Sequence, residues 1–569
     1  MKKLTTIGSW LTVIAYCLTI VVPASAAKPE KIAPVKNIIL MITDGTSIST
    51  VSAARWLQVY RDPSHSRLNI DPWLCGTVRT CNSDAPIGDS APTTSCYVTG
   101  HLSRSAYIST FPPYKGKDNI EPIDSTRAYA PMASILEAGR QLQGKALGMV
   151  FTCQFCHATP ADCSAHYYNR NAYQLLADQT VHNGFDVVIG GGNSYLSSDG
   201  ESYLRSTGTN VYRNDISAMR ADRGNKMWAL FGDVDMDYDI DRNPDEQPSL
   251  AEMTEIALSK LSKKKEGFFL MVEGSKVDWA AHDNDPAALP NEFLAFDKAC
   301  GVALDFARRN GNTAVIIVPD HGNSGFSIGR RDLSDYSRQS LERLFGQVNK
   351  YKRSADGMER LLLSQPYDSL RSIFRNYAGL ELNPEEYNLI INSKGYKPSP
   401  IPEEMRQPDK KSALYSSYLS GIITKILTKH TPFGWTTGGH TGEDIFLAVY
   451  NPNNQRPLGY TTNTELGRYI QSLWGMQGKM DAFTDQIFAP HRKVFNGYEV
   501  NITKSEEKNV WPTLTITNPA NGKQLTAHAF SNVIEVSGKS QPINLPSVIT
   551  YVDRNDMFYL PKTLTDFLK

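Results

Sequence analysis

Four continuous apolar runs, each followed by a turn that contains glycine, place the strongest constraint on the fold of this chain. The runs cover residues 37–42, 186–189, 268–272 and 313–318. A strand with one exposed face alternates apolar and polar residues, whereas a strand covered on both faces is apolar throughout. The runs therefore predict the strands of a parallel sheet with helices on both sides.

Helical patterns lie between these runs, at residues 131–143 and 291–310, and the second ends at Gly311, a typical helix C-cap. Alternation of strands and helices predicts an α/β fold, doubly wound, with a mostly parallel central sheet. Ligands of such sheets bind beyond the carboxyl ends of the strands. The residues expected at these ends carry metal-binding side chains: Asp44, Glu273, Asp320 and His321.

The length of 569 residues suggests about two to four domains. We expect residues 27–322 and 431–485 to form the α/β core. Residues 323–430 are polar with helical patterns and predict a mainly helical insertion over the active-site face. Residues 486–569 contain short alternating runs and predict a small C-terminal β region.

The N-terminus has the pattern of a secretory signal. Lys2 and Lys3 precede an apolar stretch at about residues 10–22, which is followed by Ala24-Ser25-Ala26. We expect cleavage after residue 26 and export to the periplasm or the medium. No other segment approaches the roughly 20 apolar residues of a membrane span, so none is expected after cleavage.

Charge and cysteine content exclude several protein classes. Lysine plus arginine and aspartate plus glutamate number 59 each, and without a basic block no nucleic-acid-specific partner is expected. The number of cysteines after the predicted signal is odd, which argues against a disulfide scaffold. Cys153, Cys156 and Cys163 lack a second CxxC pair, so buried thiols or one local disulfide are favoured over a metal site.

Asp278 and His282 are separated by four positions. On a helix, residues with this spacing share one face, so the carboxylate and the imidazole can bind one metal ion. The alternative is an aspartate that caps the helix and an unrelated surface histidine.

Asp320-His321 follows the apolar run 313–318 after one proline, and His440 lies in the glycine-rich segment 436–442 before the apolar run 445–450. Carboxylate and imidazole groups suit a divalent transition metal such as zinc. A turn aspartate beside a hydrogen-bonded core histidine would explain the first pair as well, and His440 alone is weak evidence. With Asp44 and the helical pair, these residues predict a two-metal cleft.

Ser90 lies in Gly88-Asp89-Ser90-Ala91-Pro92, a composition typical of the first turn of a helix. The free N–H groups of a helix N-terminus attract an anion, so an anion could bind beside Ser90. Its alternative role, or that of Asp89, is simply to cap the helix. Arg170 is either a surface residue or a phosphate ligand, because a guanidinium binds phosphate in bidentate fashion.

Together and in this order, the segments resemble the alkaline phosphatase family over most of residues 37–452. The resemblance is carried by residues 42–45 (Ile-Thr-Asp-Gly), 89–91 (Asp-Ser-Ala), 157–161 (His-Ala-Thr-Pro-Ala), 169–171 (Asn-Arg-Asn), 272–275 (Val-Glu-Gly-Ser), 278 with 282 (Asp and His), 320–322 (Asp-His-Gly) and 439–442 (Gly-His-Thr-Gly). It implies that small phosphate monoesters are hydrolysed through a phosphoserine at Ser90. Arg170 is implied to hold two phosphoryl oxygens, and the protein is implied to be a homodimer.

The resemblance also implies two Zn²⁺ sites and one Mg²⁺ site. The implied ligands are Asp278, His282 and His440 for one zinc ion, Asp44, Asp320 and His321 for the other, and Asp44, Thr159 and Glu273 for magnesium. His157 and Trp279 stand where the best-known enterobacterial pattern has Asp and Lys. We expect these two residues beside the ligands rather than among them, and they leave the identity of the third metal open.

Two other functions are compatible with parts of the sequence. A phosphodiesterase, sulfatase or phosphomutase of the same superfamily would share the two-metal scaffold. Ser90-Ala91-Pro92 resembles part of the sulfatase signature, but Thr94 occupies the position of its arginine. An exported binding or scaffold protein without catalysis is the other alternative, and the complete set of nucleophile, ligands and arginine argues against it.

Overall fold

A computed structural model describes residues 31–116, 120–397 and 418–569 of the chain. The predicted signal at residues 1–26 lies outside these described residues. Residues 34–569 form one compact unit, which contains all the described strands and helices. Within the described residues, no helix combines the length and the apolar character needed to cross a bilayer.

A ten-stranded mixed sheet forms the centre of the fold. Its strands are β1 (Asn37–Thr43), β2 (Leu74–Arg79), β3 (Ala146–Gln154), β4 (Val187–Gly191), β5 (Asn210–Arg213), β6 (Met227–Leu230), β7 (Phe268–Gly274), β8 (Thr313–Pro319), β13 (Ile445–Tyr450) and β14 (Gly459–Thr462). Their order in the sheet is β14-β2-β13-β8-β1-β7-β3-β4-β6-β5. Only β13 runs antiparallel to its neighbours, β8 and β2. The predicted doubly wound, mostly parallel sheet is thereby confirmed.

The three central strands β1, β7 and β8 are buried along their whole length. Their apolar side chains face helices on both sides of the sheet, which explains the absence of alternation in the sequence. In the pairing register, Thr43 lies opposite both Gly274 and Pro319. Strands β1, β7 and β8 therefore end at the same level of the sheet. The residues that follow these three strands in the sequence lie close together.

Helices cover the sheet and connect its strands. They are α1 (Ile48–Arg61), α2 (Ser90–Thr99), α3 (Ile135–Gln143), α4 (Ala158–Asp162), α5 (Tyr173–His182), α6 (Ser198–Ser206), α7 (Ile216–Ala221), α8 (Leu250–Leu261), α9 (Lys276–His282), α10 (Ala288–Asn310), α11 (Leu341–Lys350), α12 (Ala355–Ser364), α13 (Leu370–Ile373), α14 (Pro384–Ile391), α15 (Leu419–Lys429), α16 (Asn463–Ser472), α17 (Met480–Ile487) and α18 (His491–Val494). A π-helical turn at Phe374–Ala378 extends α13.

The starts of two helices differ from the sequence prediction for reasons of capping. Helix α3 begins four residues later than predicted, because Ser134 and Glu137 form a capping box that fixes its first turn. Helix α10 begins three residues earlier, because the Asp285 carboxylate accepts the N–H groups of Ala287 and Ala288. The predicted end at Gly311 is confirmed, with Gly311 in the left-handed conformation at φ 69°.

Helices α12 to α15 share an apolar cluster that includes Phe374, Ile390 and Ile423. Helix α11 instead packs Phe345 and Val348 into the main core. Four short strands border this helical segment: β9 (Gly322–Asn323), β10 (Ser327–Ile328), β11 (Phe433–Gly434) and β12 (His440–Thr441). Strand β9 pairs with β12, and β10 pairs with β11. The two ends of the helical segment therefore lie next to each other, which confirms a helical insertion. Its limits at residues 323 and 430 stay a prediction.

Residues 489–560 contain a second, seven-stranded antiparallel sheet. Its strands are β15 (Ala489–Pro490), β16 (Glu499–Thr503), β17 (Thr513–Thr517), β18 (Gln524–His528), β19 (Ser531–Val536), β20 (Ile543–Val552) and β21 (Met557–Leu560). Their order is β15-β21-β20-β19-β18-β17-β16. Buried and partly exposed residues alternate along β17, as expected of a sheet with one covered face. The predicted C-terminal β region is confirmed.

The cysteines of the described residues are all free thiols, and Cys153, Cys156 and Cys163 are buried. Of the two interpretations left open for these three residues, the structure has buried thiols and not a local disulfide.

Candidate active site

The coincident ends of β1 and β8 hold the first group of candidate metal ligands: Asp44, Asp320 and His321. One oxygen of each carboxylate, Asp44 Oδ1 and Asp320 Oδ2, lies 3.4 Å and 3.6 Å from His321 Nε2. The other Asp320 oxygen accepts the backbone N–H groups of Gly45 and His321, both at 2.9 Å. These bonds fix the carboxylate, and the three ligand atoms lie close enough to contact one cation.

The second group combines helix α9 with the loop before β13. Asp278 and His282 lie one turn apart on α9, with 3.3 Å between Asp278 Oδ2 and His282 Nε2. His440 Nε2 lies 3.2 Å from His282 Nε2 and 3.9 Å from Asp278 Oδ1. The spacing of four positions in the sequence thus places both α9 side chains on the face that meets His440.

The three imidazole rings make the same type of hydrogen bond. The Nδ1 atoms of His282, His321 and His440 lie 2.8 Å, 3.1 Å and 2.9 Å from the carbonyl oxygens of Gly438, Gly322 and Gly88. A carbonyl only accepts, so each Nδ1 carries the proton and donates it. In the neutral ring Nε2 then has a free lone pair, which is the arrangement of a histidine that binds a metal.

A third group lies below the end of β7, around the fully buried Glu273. Thr159, in the first turn of α4, is fully buried as well. The Sγ atom of Cys153 donates to Glu273 Oε2 at 3.4 Å, and Cys153, His157 and Glu273 offer ligand atoms within one small volume. Sequence reasoning did not include Cys153 here, because only the pairing of β3 with β7 brings this thiol to Glu273.

The polar atoms in these groups fit divalent cations. Asp44 Oδ2, Asp320 Oδ2, Glu273 Oε1 and Thr159 Oγ1 are buried, and none has a hydrogen-bond partner among the described residues. A buried oxygen without a hydrogen bond destabilises the folded protein unless another group interacts with that oxygen. These unsatisfied oxygens and the Nε2 lone pairs of the histidines are divided among neighbouring groups, and such donor sets are what hard or borderline cations satisfy.

The electrostatics lead to the same conclusion. Burial raises the pKa of Asp44 well above its usual range, and the charges of Asp320 and Asp278 raise it further. Burial also raises the pKa of Glu273 to about 8, although the hydrogen bond from Ser275 acts in the opposite direction. Carboxylates gathered in a low dielectric repel one another, and bound cations remove that repulsion.

Ser90 is the first residue of α2 and lies against the first ligand group. Its Oγ is 3.3 Å from His321 Nε2 and 3.4 Å from Asp44 Oδ1. Ser90 is almost fully buried, at 2% exposure. Because α2 begins at Ser90, the unpaired N–H groups of its first turn face the space next to the hydroxyl group, where they favour an anion.

Asp89 occupies the N-cap position of α2 but makes no capping hydrogen bond. Its Oδ1 instead accepts a short hydrogen bond from Arg170 Nη1, and its Oδ2 accepts the N–H of Ala106 at 3.1 Å. Burial acts to raise the pKa of Asp89, but the charge of Arg170 holds it below its usual value. The pair places the guanidinium next to the N-terminus of α2.

His157 contacts the same guanidinium, with Arg170 Nη2 3.3 Å from His157 Nε2. Since arginine only donates, His157 accepts through Nε2 and is neutral. Burial and the charge of Arg170 agree with this, because they lower the pKa of His157 to about 3. The ring of Trp279 packs edge-on against His157 at 5.9 Å between centroids.

The structure therefore brings every residue predicted for the site together at the carboxyl ends of the strands. Sequence reasoning missed Asn323, whose Nδ2 donates to the Asp278 carboxylate at 2.7 Å and to the Asp278 carbonyl at 3.2 Å. Its position three residues after Asp320 is visible in the sequence, but its place opposite His440 in the β9–β12 pair is visible only in the structure.

Comparisons with known proteins agree with this geometry. A family model described as "Alkaline phosphatase" matches residues 35–476. The chain is 30% identical to alkaline phosphatase 3 of Bacillus subtilis over 467 residues, which cover 79% of this chain and 92% of the relative. It is 28% identical to an alkaline phosphatase of Schizosaccharomyces pombe over 463 residues, which cover 77% of this chain and 80% of the relative.

Solved structures show the same fold. A cold-active alkaline phosphatase from Shewanella sp. superposes with a TM-score of 0.64 at 24% identity, covering 77% of this chain and 99% of the other. Alkaline phosphatase from Thermus thermophilus superposes with a TM-score of 0.63 at 22% identity, covering 78% and 92%. The family model spans more than half of the sequence, so the chain belongs to the alkaline phosphatase family, whose members depend on metal, and it is a phosphatase.

Proposed function

We propose that this protein is an exported alkaline phosphatase that hydrolyses small phosphate monoesters through a phosphoserine formed on Ser90. The observation that carries the proposal is the position of the Ser90 hydroxyl. It lies at the N-terminus of α2, within 3.4 Å of Asp44 and His321 of one candidate ligand group. A serine in an ordinary N-cap would have no such neighbours.

Three cations would complete the site. Asp278, His282 and His440 would hold one Zn²⁺, and Asp44, Asp320 and His321 would hold the second. Asp44, Thr159 and Glu273 would hold Mg²⁺, with Cys153 and His157 next to them. When bound, such cations neutralise the charge that develops on the attacking and leaving oxygens of a phosphoryl transfer.

The side chains of the protein have separate tasks in the reaction. Ser90 Oγ loses its proton and forms a bond to phosphorus, while the bond from phosphorus to the leaving alcohol breaks and that alcohol gains a proton. Water then attacks the phosphoserine, which releases inorganic phosphate and restores the Ser90 hydroxyl. The N–H groups of α2 stabilise the phosphoryl oxygens in both steps.

Arg170 would bind two phosphoryl oxygens through its guanidinium. Its hydrogen bonds to Asp89 and His157 hold the side chain in place before substrate arrives, so less conformational entropy is lost on binding. His157 is neutral and adds no charge to the phosphate site. These groups contact only the phosphoryl group, so we expect tolerance toward different alcohols.

Export and dimerisation are further parts of the proposal. The sequence of residues 1–26 supports export, and N-terminal sequencing of the secreted protein tests the cleavage site. The resemblance to the family supports a homodimer, which light scattering of the purified protein tests.

Hydrolysis of three 4-nitrophenyl compounds tests the proposed function: the phosphate monoester, the bis-ester and the sulfate. We expect the monoester to be hydrolysed fastest, chelation to abolish its hydrolysis and zinc to restore it. A preference for the diester or the sulfate would overturn the assignment to monoesters.

A further inference from the structure

Arg170 lies in a short loop, residues 166–172, which we call the Arg170 loop. It connects α4 to α5 and forms no long strand or helix of its own. Arg170 N–H donates to the Ala106 carbonyl at 2.8 Å, and Ile108 and Tyr167 exchange two backbone hydrogen bonds. The backbone of His166, at the start of the loop, is bonded to the Gln179 side chain. The place of the guanidinium therefore depends on its own bonds to Asp89 and His157 and also on the side chains that hold the loop.

Several of these side chains come from the C-terminal β region. The hydroxyl groups of Tyr167 and Tyr168 donate to Asp553 Oδ1 at 3.3 Å and 2.5 Å. Asp553 directly follows β20, at the start of a short 3₁₀ turn, Asp553–Asn555. One carboxylate thus contacts two consecutive residues of the loop, and the second of them is two positions from Arg170.

Arg554 adds a second contact to the same part of the loop. Its guanidinium lies 4.5 Å from the centroid of the Tyr168 ring and 5.5 Å from that of Tyr129. The Tyr168 ring also packs edge-on against Tyr129 and Tyr107, at 6.0 Å and 6.1 Å. A cation above an aromatic face is attracted to it, so Arg554 keeps Tyr168 packed in this aromatic group.

The C-terminal β region also contacts helix α5, which follows the Arg170 loop. Helix α5 begins three residues after Arg170, and its Asp178 accepts a hydrogen bond from Trp511 Nε1 at 2.6 Å. Phe530 packs edge-on against both Trp511 and Tyr167, at 5.3 Å and 6.0 Å. Residues of the C-terminal β region, which lie outside the range 35–476 matched by the family model, thus contact the chain both before and after Arg170.

We infer that Asp553 and Arg554 are positioning residues for Arg170, which makes the C-terminal β region a part of the phosphate-binding apparatus. The inference rests on the proposed role of Arg170 as a phosphate ligand. Neither residue touches the substrate; Asp553 acts through Tyr167 and Tyr168, and Arg554 acts through Tyr168. Both are exposed, so their contacts contribute little to global stability, and an effect on phosphate binding can be separated from unfolding.

The test measures the inhibition constant of inorganic phosphate against 4-nitrophenyl phosphate in the full-length enzyme. We expect Asp553→Ala and Arg554→Ala each to raise this constant by about 3- to 10-fold, since small displacements of a binding group are costly. Asp553→Asn keeps an acceptor for the tyrosine hydroxyls and should restore the wild-type value. Tyr168→Phe removes one of the two hydrogen bonds to Asp553, so it should raise the constant in the same direction but by no more than Asp553→Ala does.

Lys504→Ala is the matched control, because Lys504 forms an ion pair with Asp556 at 2.8 Å in the same region without a contact to the loop. Its inhibition constant should equal that of the wild type. A double-mutant cycle gives the decisive result: in an Arg170→Ala background, Asp553→Ala should cause no further increase. Unchanged constants in Asp553→Ala, Arg554→Ala and Tyr168→Phe, or additive effects in the cycle, would overturn the inference.

The same data separate the two proposals. If Arg170→Ala itself leaves the inhibition constant unchanged, the proposed phosphate-binding role of Arg170 is wrong. If Arg170→Ala weakens phosphate binding and the Asp553 and Arg554 variants do not, only the positioning inference is wrong.

Discussion

His282 and His440 direct their Nε2 atoms at each other across 3.2 Å. Both rings donate from Nδ1 to a backbone carbonyl, so two neutral rings would present two lone pairs to each other. A proton on one ring or a cation bound by both resolves this repulsion. Asp278 lies beside both nitrogens, which supplies a third donor for a cation.

The first prediction concerns removal of the metal. Chelation should abolish phosphatase activity and lower the melting temperature by roughly 5–15 °C, because ligands that bind only the folded state stabilise it. Elemental analysis and calorimetry before and after dialysis against a chelator measure both effects. Zinc, with magnesium, should restore activity and melting temperature together; full activity without bound metal would contradict the proposed site.

The second prediction concerns the nucleophile. Ser90→Ala should reduce the turnover of 4-nitrophenyl phosphate by more than about 10³-fold, because no phosphoserine can form. Mass spectrometry of acid-quenched enzyme should detect the phosphoserine in the wild type only. Ser52→Ala, on the first helix of the same fold, is a control that should keep full activity. Near-normal turnover by the Ser90 variant would refute its role.

Much of this arrangement follows from local patterns. The fully buried strands β1, β7 and β8 are visible as apolar runs, and the spacing of Asp278 and His282 places them on one face of α9. The antiparallel direction of β13 was not predicted, because an apolar run of six residues carries no information about direction. The contact of Cys153 with Glu273 and that of Asn323 with Asp278 depend on pairings between distant segments, which no local pattern encodes.

The third prediction concerns Asn323, which orients a proposed zinc ligand without being one. Asn323→Ala should weaken zinc binding by about 10- to 100-fold, as is typical for residues that hydrogen-bond a metal ligand. Titration against a chromogenic chelator measures the affinity. Asn323→Asp keeps the size of the side chain but loses the donor, so it should not restore binding. Wild-type affinity in both variants would mean that Asp278 needs no support from Asn323.

The fourth prediction concerns the pH dependence of stability and rests on Glu292 of α10. This side chain is almost fully buried and accepts a short hydrogen bond from the Asp239 N–H. Burial, together with the charge of Asp239, raises the pKa of Glu292 to about 8. In the unfolded chain a glutamate has a pKa of about 4.3. The folded state therefore binds this proton more tightly, and the stabilisation is complete below about pH 4 and is lost as the pH rises through about 8.

Glu292→Gln keeps the oxygen that accepts from Asp239 and removes the charge. We expect the variant to match the wild type near pH 4 and to be more stable near pH 9, by an amount on the order of a few kcal/mol. Urea unfolding at both pH values measures the difference in the free energy of unfolding. Glu255→Gln, at an exposed position of α8, is the control and should show no such dependence on pH. A Glu292 variant that is equally stable or less stable than the wild type at pH 9 would show that the buried carboxyl group does not carry the predicted cost of ionisation.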